Sequence, residues 1–126
     1  MTGLEAASVY VAVNILILVW LAVRVVGNRI RERDQDGVSD ELANTIRVHG
    51  NASEYIPAML IGLVGLALLD GAVIVIHGLG ITFTLARILH VIGMNGGPIQ
   101  ARQIGILLTW ACMVIVSLAM LYHVFT

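Results

Sequence analysis

Charged side chains are scarce in this chain. Only 12% of its 126 residues are charged, whereas 59% are hydrophobic. There is no lysine, and Cys112 is the single cysteine, which excludes a disulfide framework and a cysteine-based metal cluster. We therefore expect no metal site. So few charges are a poor basis for the surface of a soluble domain, and the composition indicates an integral membrane protein.

The hydrophobic residues fall into four blocks, and a helix needs about 20 residues to cross a hydrocarbon core of roughly 30 Å. The second block, 56–69, is short, but its helical periodicity continues back to about Asp40, which predicts one helix of about 45 Å. Asp70-Gly71 and the cluster 95–98 are strong helix breakers. The sequence therefore predicts a single all-α domain over 1–126, an integral membrane four-helix bundle with helices at about 4–26, 40–69, 72–94 and 102–125.

Basic residues occur near only two of the three predicted connections. All of them are arginines, and they lie near the first and third connections: Arg24, Arg29, Arg31, Arg33, Arg47, Arg87 and Arg102. The two termini and the Asp70-Gly71 turn carry none. By the positive-inside rule, the arginine-bearing connections are expected in the cytoplasm and both termini outside.

A polar motif opens the membrane part of the second helix. Arg47, Asn51 and Glu54 are spaced i, i+4, i+7 and share one helical face, with Tyr55 beside them. Such residues usually face the bundle interior or a water-filled cavity, because exposing a charge to lipid costs at least ~2.5 kcal/mol. The spacing is equally compatible with a ligand site and with an Arg47–Glu54 ion pair that only joins helices.

Two other helices add polar groups at the same depth. Arg87 and His90 lie i, i+3 near the end of the third helix, and Arg102 opens the fourth. Three helices then contribute cationic or hydrogen-bonding groups to one level of the membrane. This arrangement favours a polyanionic small ligand over a single carboxylate.

The segment RVHGNASEYIP, followed by ARILH, resembles the family of membrane-associated proteins in eicosanoid and glutathione metabolism, abbreviated MAPEG. The Arg-x-x-x-Asn-x-x-Glu-x-x-Pro core of that family is matched by Arg47, Asn51, Glu54 and Pro57. The family includes microsomal glutathione transferases, leukotriene synthase and prostaglandin E synthase. Its members form homotrimers that bind glutathione between neighbouring subunits near the cytoplasmic side, and the resemblance implies the same here.

The resemblance also implies roles for individual residues. The expected glutathione-binding side chains are Arg24, Arg47, Asn51, Glu54, Tyr55, Arg87 and His90. Arg102 matches the arginine that stabilises the glutathione thiolate, which makes it the expected catalytic residue, and Arg24 has contact with lipid headgroups as its alternative role. Met94 stands where eicosanoid-making members carry a tyrosine, so the implied activity is a general glutathione transferase or peroxidase acting on a lipophilic electrophile from the bilayer.

Other functions remain open from the sequence. A non-catalytic scaffold, or a lipid- or ligand-binding protein of the same fold, is the alternative to the enzyme. A small transporter is disfavoured because the middles of three spans lack charged residues. The expected partners are glutathione as co-substrate, a lipophilic substrate, membrane lipid and two further copies of the chain, with no nucleic acid.

Three predictions concern residues outside the motif. Tyr10 is expected in an interfacial aromatic belt or against lipid, and His77 at the membrane interface. Gly62, Gly65 and Ala67 offer small surfaces on the second helix, which favours a close helix crossing there over a substrate path.

Overall fold

A computed structural model describes residues 1–126 and contains four α-helices with no strand. The helices are α1 (Gly3–Arg31), α2 (Asp40–Leu68), α3 (Val73–Met94) and α4 (Ile99–Phe125). All four are long and apolar enough to cross a membrane. Helices α1 and α3 end, and α2 and α4 begin, at the same end of the bundle. We call it the arginine end, because every arginine lies in the half of its helix nearest this end or in the α1–α2 connection.

The first helix extends past its predicted end near Val26 and stops at Arg31. Polar contacts to the start of α2 hold this additional turn. The Asn28 side-chain nitrogen donates to the Thr45 hydroxyl at 3.3 Å, and Arg31 donates to the Asn28 side-chain oxygen at 2.7 Å. Arg31 also pairs with Glu41 at 3.0 Å. The hydrophobic pattern ends near Val26, whereas the helix continues to Arg31 because these polar side chains pair with each other and with α2.

The fourth helix begins at Ile99, earlier than the predicted start at Arg102. Pro98 precedes it with a φ of −57°. A proline suits the beginning of a helix because its fixed φ is helical and the first turn needs no backbone N–H partner. Pro57 lies inside α2, which continues through it to Leu68.

Packing is closest within two helix pairs, α1 with α2 and α3 with α4. The buried centre includes Ile56, Met59 and Leu63 of α2 and Phe83 of α3, all without solvent exposure. In these parts of α2 and α3 the residues on the other sides are also mostly apolar, so burial inside the bundle rather than hydropathy separates core from lipid-facing positions.

Glycines allow α2 to approach α4. A Cβ atom added to Gly62 would lie 3.0 Å from a methyl carbon of Val116, and one added to Gly65 would meet the end of Met120. The predicted close crossing at Gly62 and Gly65 is therefore confirmed: an added Cβ would crowd the branched side chain of Val116 at Gly62, and at Gly65 it would require the end of Met120 to move.

The predicted lipid-facing position of Tyr10 is wrong. Tyr10 is only 8% exposed, and its hydroxyl group lies 2.7 Å from Nδ1 of His77 on α3. One turn further along α1, the side-chain nitrogen of Asn14 donates to the hydroxyl of Thr84 at 2.9 Å. Tyr10 is drawn into the bundle because a partner for its hydroxyl lies on the neighbouring helix, and sequence spacing does not reveal that partner.

Candidate functional site

The guanidinium of Arg87 lies at the centre of a buried polar cluster near the arginine end. Arg87 has no solvent exposure. Its Nη2 donates to the side-chain oxygen of Asn51 on α2 at 2.5 Å, and its Nη1 donates to the hydroxyl of Thr109 on α4 at 3.3 Å. The guanidinium carbon lies 5.7 Å from the ring centre of Tyr55. A single side chain from α3 thus connects α2, α3 and α4.

Burial of this arginine is tolerable because its donors are fixed in a plane and find acceptors in two directions. The hydroxyl of Thr109 donates a hydrogen bond to the carbonyl oxygen of Gly105 at 2.8 Å, which leaves its oxygen lone pairs free to accept from Arg87. The Nε atom of Arg87 has no hydrogen-bond partner within the chain. Arg87 therefore acts first as a connection between helices, and its Nε–H remains unpaired.

His90 belongs to the same cluster. Its ring nitrogen Nδ1 lies 3.5 Å from Nη2 of Arg87, and the residue is only 3% exposed. The backbone of His90 lies in close contact with α4: a Cβ added to Gly105 would lie 2.6 Å from the backbone nitrogen of His90. The glycine therefore lets α4 approach the segment of α3 that carries Arg87 and His90.

Arg102 lies at the next contact between α3 and α4. A Cβ on Gly93 would lie 2.7 Å from the Cα atom of Arg102, so the two backbones touch there. The Arg102 side chain itself is exposed and makes no ion pair or hydrogen bond within the chain. Its backbone is therefore fixed within one helical turn of His90, while its guanidinium stays free.

Arg47 and Glu54 project outward from α2. Both side chains are exposed, and neither has an ion-pair partner in the chain. An Arg47–Glu54 pair within one helix, the alternative that the spacing left open, is absent. Asn51, between them, is half-buried and turned toward Arg87, and Tyr55 is also half-buried. The predicted face of α2 is thus divided into an inner contact and two outward, unpaired charges of opposite sign.

Arg24 makes its contacts elsewhere. Its guanidinium carbon lies 5.2 Å from the ring centre of Trp20, and Nη2 donates to the side-chain oxygen of Asn95 in a long hydrogen bond of 3.4 Å. Asn44 of α2 also donates to that oxygen at 3.4 Å. Within one chain, the guanidinium of Arg24 therefore joins the ends of α1 and α3 through Asn95 and Trp20.

The sequence comparisons agree with this architecture. A sequence model described as the MAPEG family matches residues 7–122. The chain belongs to the MAPEG family. It is 29% identical over 119 residues to "Inner membrane protein YecN" of Escherichia coli strain K12, a match that covers 93% of this chain and 91% of that protein, and equally to the same protein of strain CFT073. No solved structure matches significantly.

As a MAPEG member with four apolar helices, the chain is an integral, multi-pass membrane protein. The structure brings four of the predicted site residues together inside one chain: Asn51, Tyr55, Arg87 and His90. The other four lie outside that cluster. Arg24 contacts Trp20 and Asn95, whereas Arg47, Glu54 and Arg102 are exposed and without an ion pair in the chain.

Sequence reasoning missed Thr109, Asn44 and Asn95. Thr109 is fully buried and accepts from Arg87, and the two asparagines meet at the end of α3. A threonine or asparagine within or beside an apolar span is the signal that could have found them, because polar groups at that depth need partners. No group of three or more His, Cys, Asp or Glu side chains lies together in a way that would hold a metal ion.

Proposed function

We propose that this MAPEG protein is a glutathione-dependent membrane transferase or peroxidase whose site is completed between the chains of a homotrimer. The observation that carries the proposal is the pair of opposite, unpaired charges, Arg47 and Glu54, on the outer face of α2. They flank Asn51, which is anchored from inside by Arg87. Glutathione carries two carboxylates and an amine, so an outward arginine and an outward carboxylate on one face match its charges.

The length of α2 supports a second chain against this face. The helix has 29 residues, which corresponds to about 43 Å, whereas the hydrocarbon core is roughly 30 Å thick. If the excess projects at the arginine end, Arg47 lies near the headgroups and Glu54 several ångströms inside the hydrocarbon. A carboxylate exposed to lipid at that depth is costly, so a neighbouring subunit or a ligand is expected to cover it.

The same face of α2 continues below Glu54 as an apolar surface. A groove of about 390 Å³ runs between α1 and α2 and is lined by Val11, Leu60, Ile61, Val64, Gly65 and Leu68. A homotrimer with its α2 helices turned toward neighbouring chains would cover both the groove and the charges. The oligomer would thereby turn one polar face into a closed site.

The proposed chemistry uses the free guanidinium of Arg102. A cation beside the glutathione thiol favours its thiolate, which is the nucleophilic form. The thiolate sulfur attacks a carbon of the lipophilic electrophile, a C–S bond forms, and the leaving group departs with the bond's electron pair. The thiol proton passes to solvent. Arg47, Asn51 and Glu54 position the tripeptide, and Arg87, which lies beside His90, supports Asn51 from inside.

The proposed orientation follows from the arginines. With the arginine end in the cytoplasm, the site opens toward the compartment that holds reduced glutathione, and both termini lie outside.

Calorimetric titration of the purified protein with glutathione tests the proposal, together with conjugation of a generic aryl halide and mass measurement of the detergent-solubilised protein. We expect binding, turnover and a trimer. Binding without turnover would favour the non-catalytic alternative. A protein that is only monomeric would remove the inter-subunit site, and absence of binding would overturn the glutathione assignment.

Two variants separate binding from chemistry. Arg47→Ala is expected to weaken glutathione binding by ~1.5–3 kcal/mol, the value of a lost charge-assisted hydrogen bond. Arg102→Ala should leave binding nearly intact but raise the pKa of the bound thiol and lower turnover, because its interaction is stronger with thiolate than with thiol. Arg29→Ala is the matched control, since Arg29 is exposed at the same end of the bundle. Thiolate absorbance against pH reports the pKa, and an unshifted value with full turnover in Arg102→Ala would reject its role.

A further inference from the structure

A second apolar groove lies between α1 and α3, away from the outward face of α2. It has a volume of about 260 Å³ and is lined only by hydrophobic side chains: Ile17, Trp20, Ile88, Val91 and Ile92. Ile17 and Trp20 are i, i+3 on α1, and Ile88 and Ile92 are i, i+4 on α3. The groove therefore lies between α1 and α3 and spans about one helical turn of each.

The groove ends at a polar rim at the arginine end. Arg24 follows Trp20 by one helical turn and lies over its ring at 5.2 Å, while Asn95 follows Ile92 by one turn. The two rim residues are joined by the 3.4 Å hydrogen bond from Arg24 to Asn95. The apolar and polar parts thus form one continuous amphipathic surface.

The rim offers donors and positive charge. Arg24 is half-buried, has no acidic partner, and uses one long hydrogen bond out of five available N–H donors. The side-chain nitrogen of Asn95 takes part in no hydrogen bond within the chain, because only its oxygen is engaged. An arginine with free donors at the polar end of an apolar groove is suited to bind a phosphate group.

We propose that this groove binds an anionic phospholipid, with one acyl chain along Trp20 and the phosphate group at Arg24 and Asn95. Charge complementarity at Arg24 selects this occupant over a zwitterionic lipid, and the wholly hydrophobic lining of the groove favours an acyl chain over a polar ligand. The site does not depend on the proposed glutathione chemistry. It assigns Arg24 to the lipid rather than to glutathione, in contrast to the role implied by the resemblance.

The two tryptophans of the chain make a direct test feasible. Trp110 lies exposed on α4, so Trp110→Phe leaves Trp20 as the only tryptophan without disturbing the core. The full-length protein is placed in vesicles of phosphatidylcholine, into which phosphatidylglycerol or phosphatidylcholine with brominated acyl chains is titrated. Bromine quenches tryptophan fluorescence at contact, so quenching reports lipid occupancy beside Trp20.

We expect phosphatidylglycerol to bind about fivefold more tightly than phosphatidylcholine, as one arginine near an anionic lipid provides. Arg24→Gln should remove this preference, Arg24→Lys should retain part of it, and Arg29→Gln should leave it unchanged, because Arg29 is exposed at the end of the same helix and lies outside the groove. Ile88→Phe should fill the groove and reduce quenching by both lipids.

Equal quenching by the two brominated lipids would overturn the proposal. So would an equal loss of preference in Arg29→Gln and Arg24→Gln, because it would indicate diffuse attraction by surface charge. Glutathione titration of Arg24→Gln separates the two assignments of this residue: weakened glutathione binding with an unchanged lipid preference would return Arg24 to the glutathione site.

Discussion

Replacement of Arg87 by methionine tests whether this residue is a ligand group or a connection between helices. Methionine has a similar volume but no donors, so Arg87→Met removes the hydrogen bonds to Asn51 and Thr109 without leaving a large cavity. The charge-assisted bond to Asn51 is worth ~1.5–3 kcal/mol, and the longer contact to Thr109 adds a smaller amount. The unpaired Nε atom of Arg87 disappears with the guanidinium, and relief of its desolvation offsets part of the loss.

We therefore expect Arg87→Met to lower the free energy of unfolding by about 1–3 kcal/mol. Reversible unfolding in mixed detergent micelles with increasing dodecyl sulfate, followed by helical circular dichroism, measures this change. Arg29→Met is the control and should change stability by less than ~0.5 kcal/mol, because surface substitutions without contacts are nearly neutral.

Glutathione titration of the same variant completes the test. A stable Arg87→Met protein that no longer bound glutathione would refute the structural role and make Arg87 a direct ligand. A destabilised protein whose glutathione affinity falls only modestly is the expected result, because Asn51 loses its support but remains in place.

Three further predictions concern helix contacts and the orientation of the chain in the membrane. Gly105→Ala should destabilise by ~1–3 kcal/mol, because its Cβ would meet backbone atoms of α3, whereas Gly78→Ala should be neutral or stabilising, because nothing lies within 4 Å of the added carbon; unfolding of both variants measures the difference. Tyr10→Phe should cost ~0.5–1.5 kcal/mol through loss of the bond to His77, measured in the same way, and an unchanged stability would mean that the bond contributes nothing. A reporter fused after Thr126 should be active only outside the cytoplasm, and cytoplasmic activity would invert the proposed orientation.

Much of the architecture could be predicted from sequence because it depends on properties of single segments. Apolar length predicts the four helices, and the position of the arginines predicts a polar end. The shared face of Arg47, Asn51 and Glu54 follows from helical periodicity alone. The helix ends were harder to predict. The end of α1 extends into polar sequence, where side-chain contacts to α2 hold its last turn, and α4 begins directly after Pro98, three residues before the predicted start.

The tertiary structure decided which of these polar groups face each other. Arg87 and Arg24 are both arginines near the end of a span, yet one is fully buried against Asn51 and Thr109 and the other lies over Trp20 at the edge of a groove. Nearly uniform hydrophobicity around a membrane helix leaves its rotation unspecified in the sequence. Glycine contacts and matching hydrogen-bond partners on neighbouring helices set that rotation, and those partners are distant along the chain. The sequence alone thus determined four spans and the end of the bundle that carries the charge, and packing between helices determined which charges became internal and which remained free.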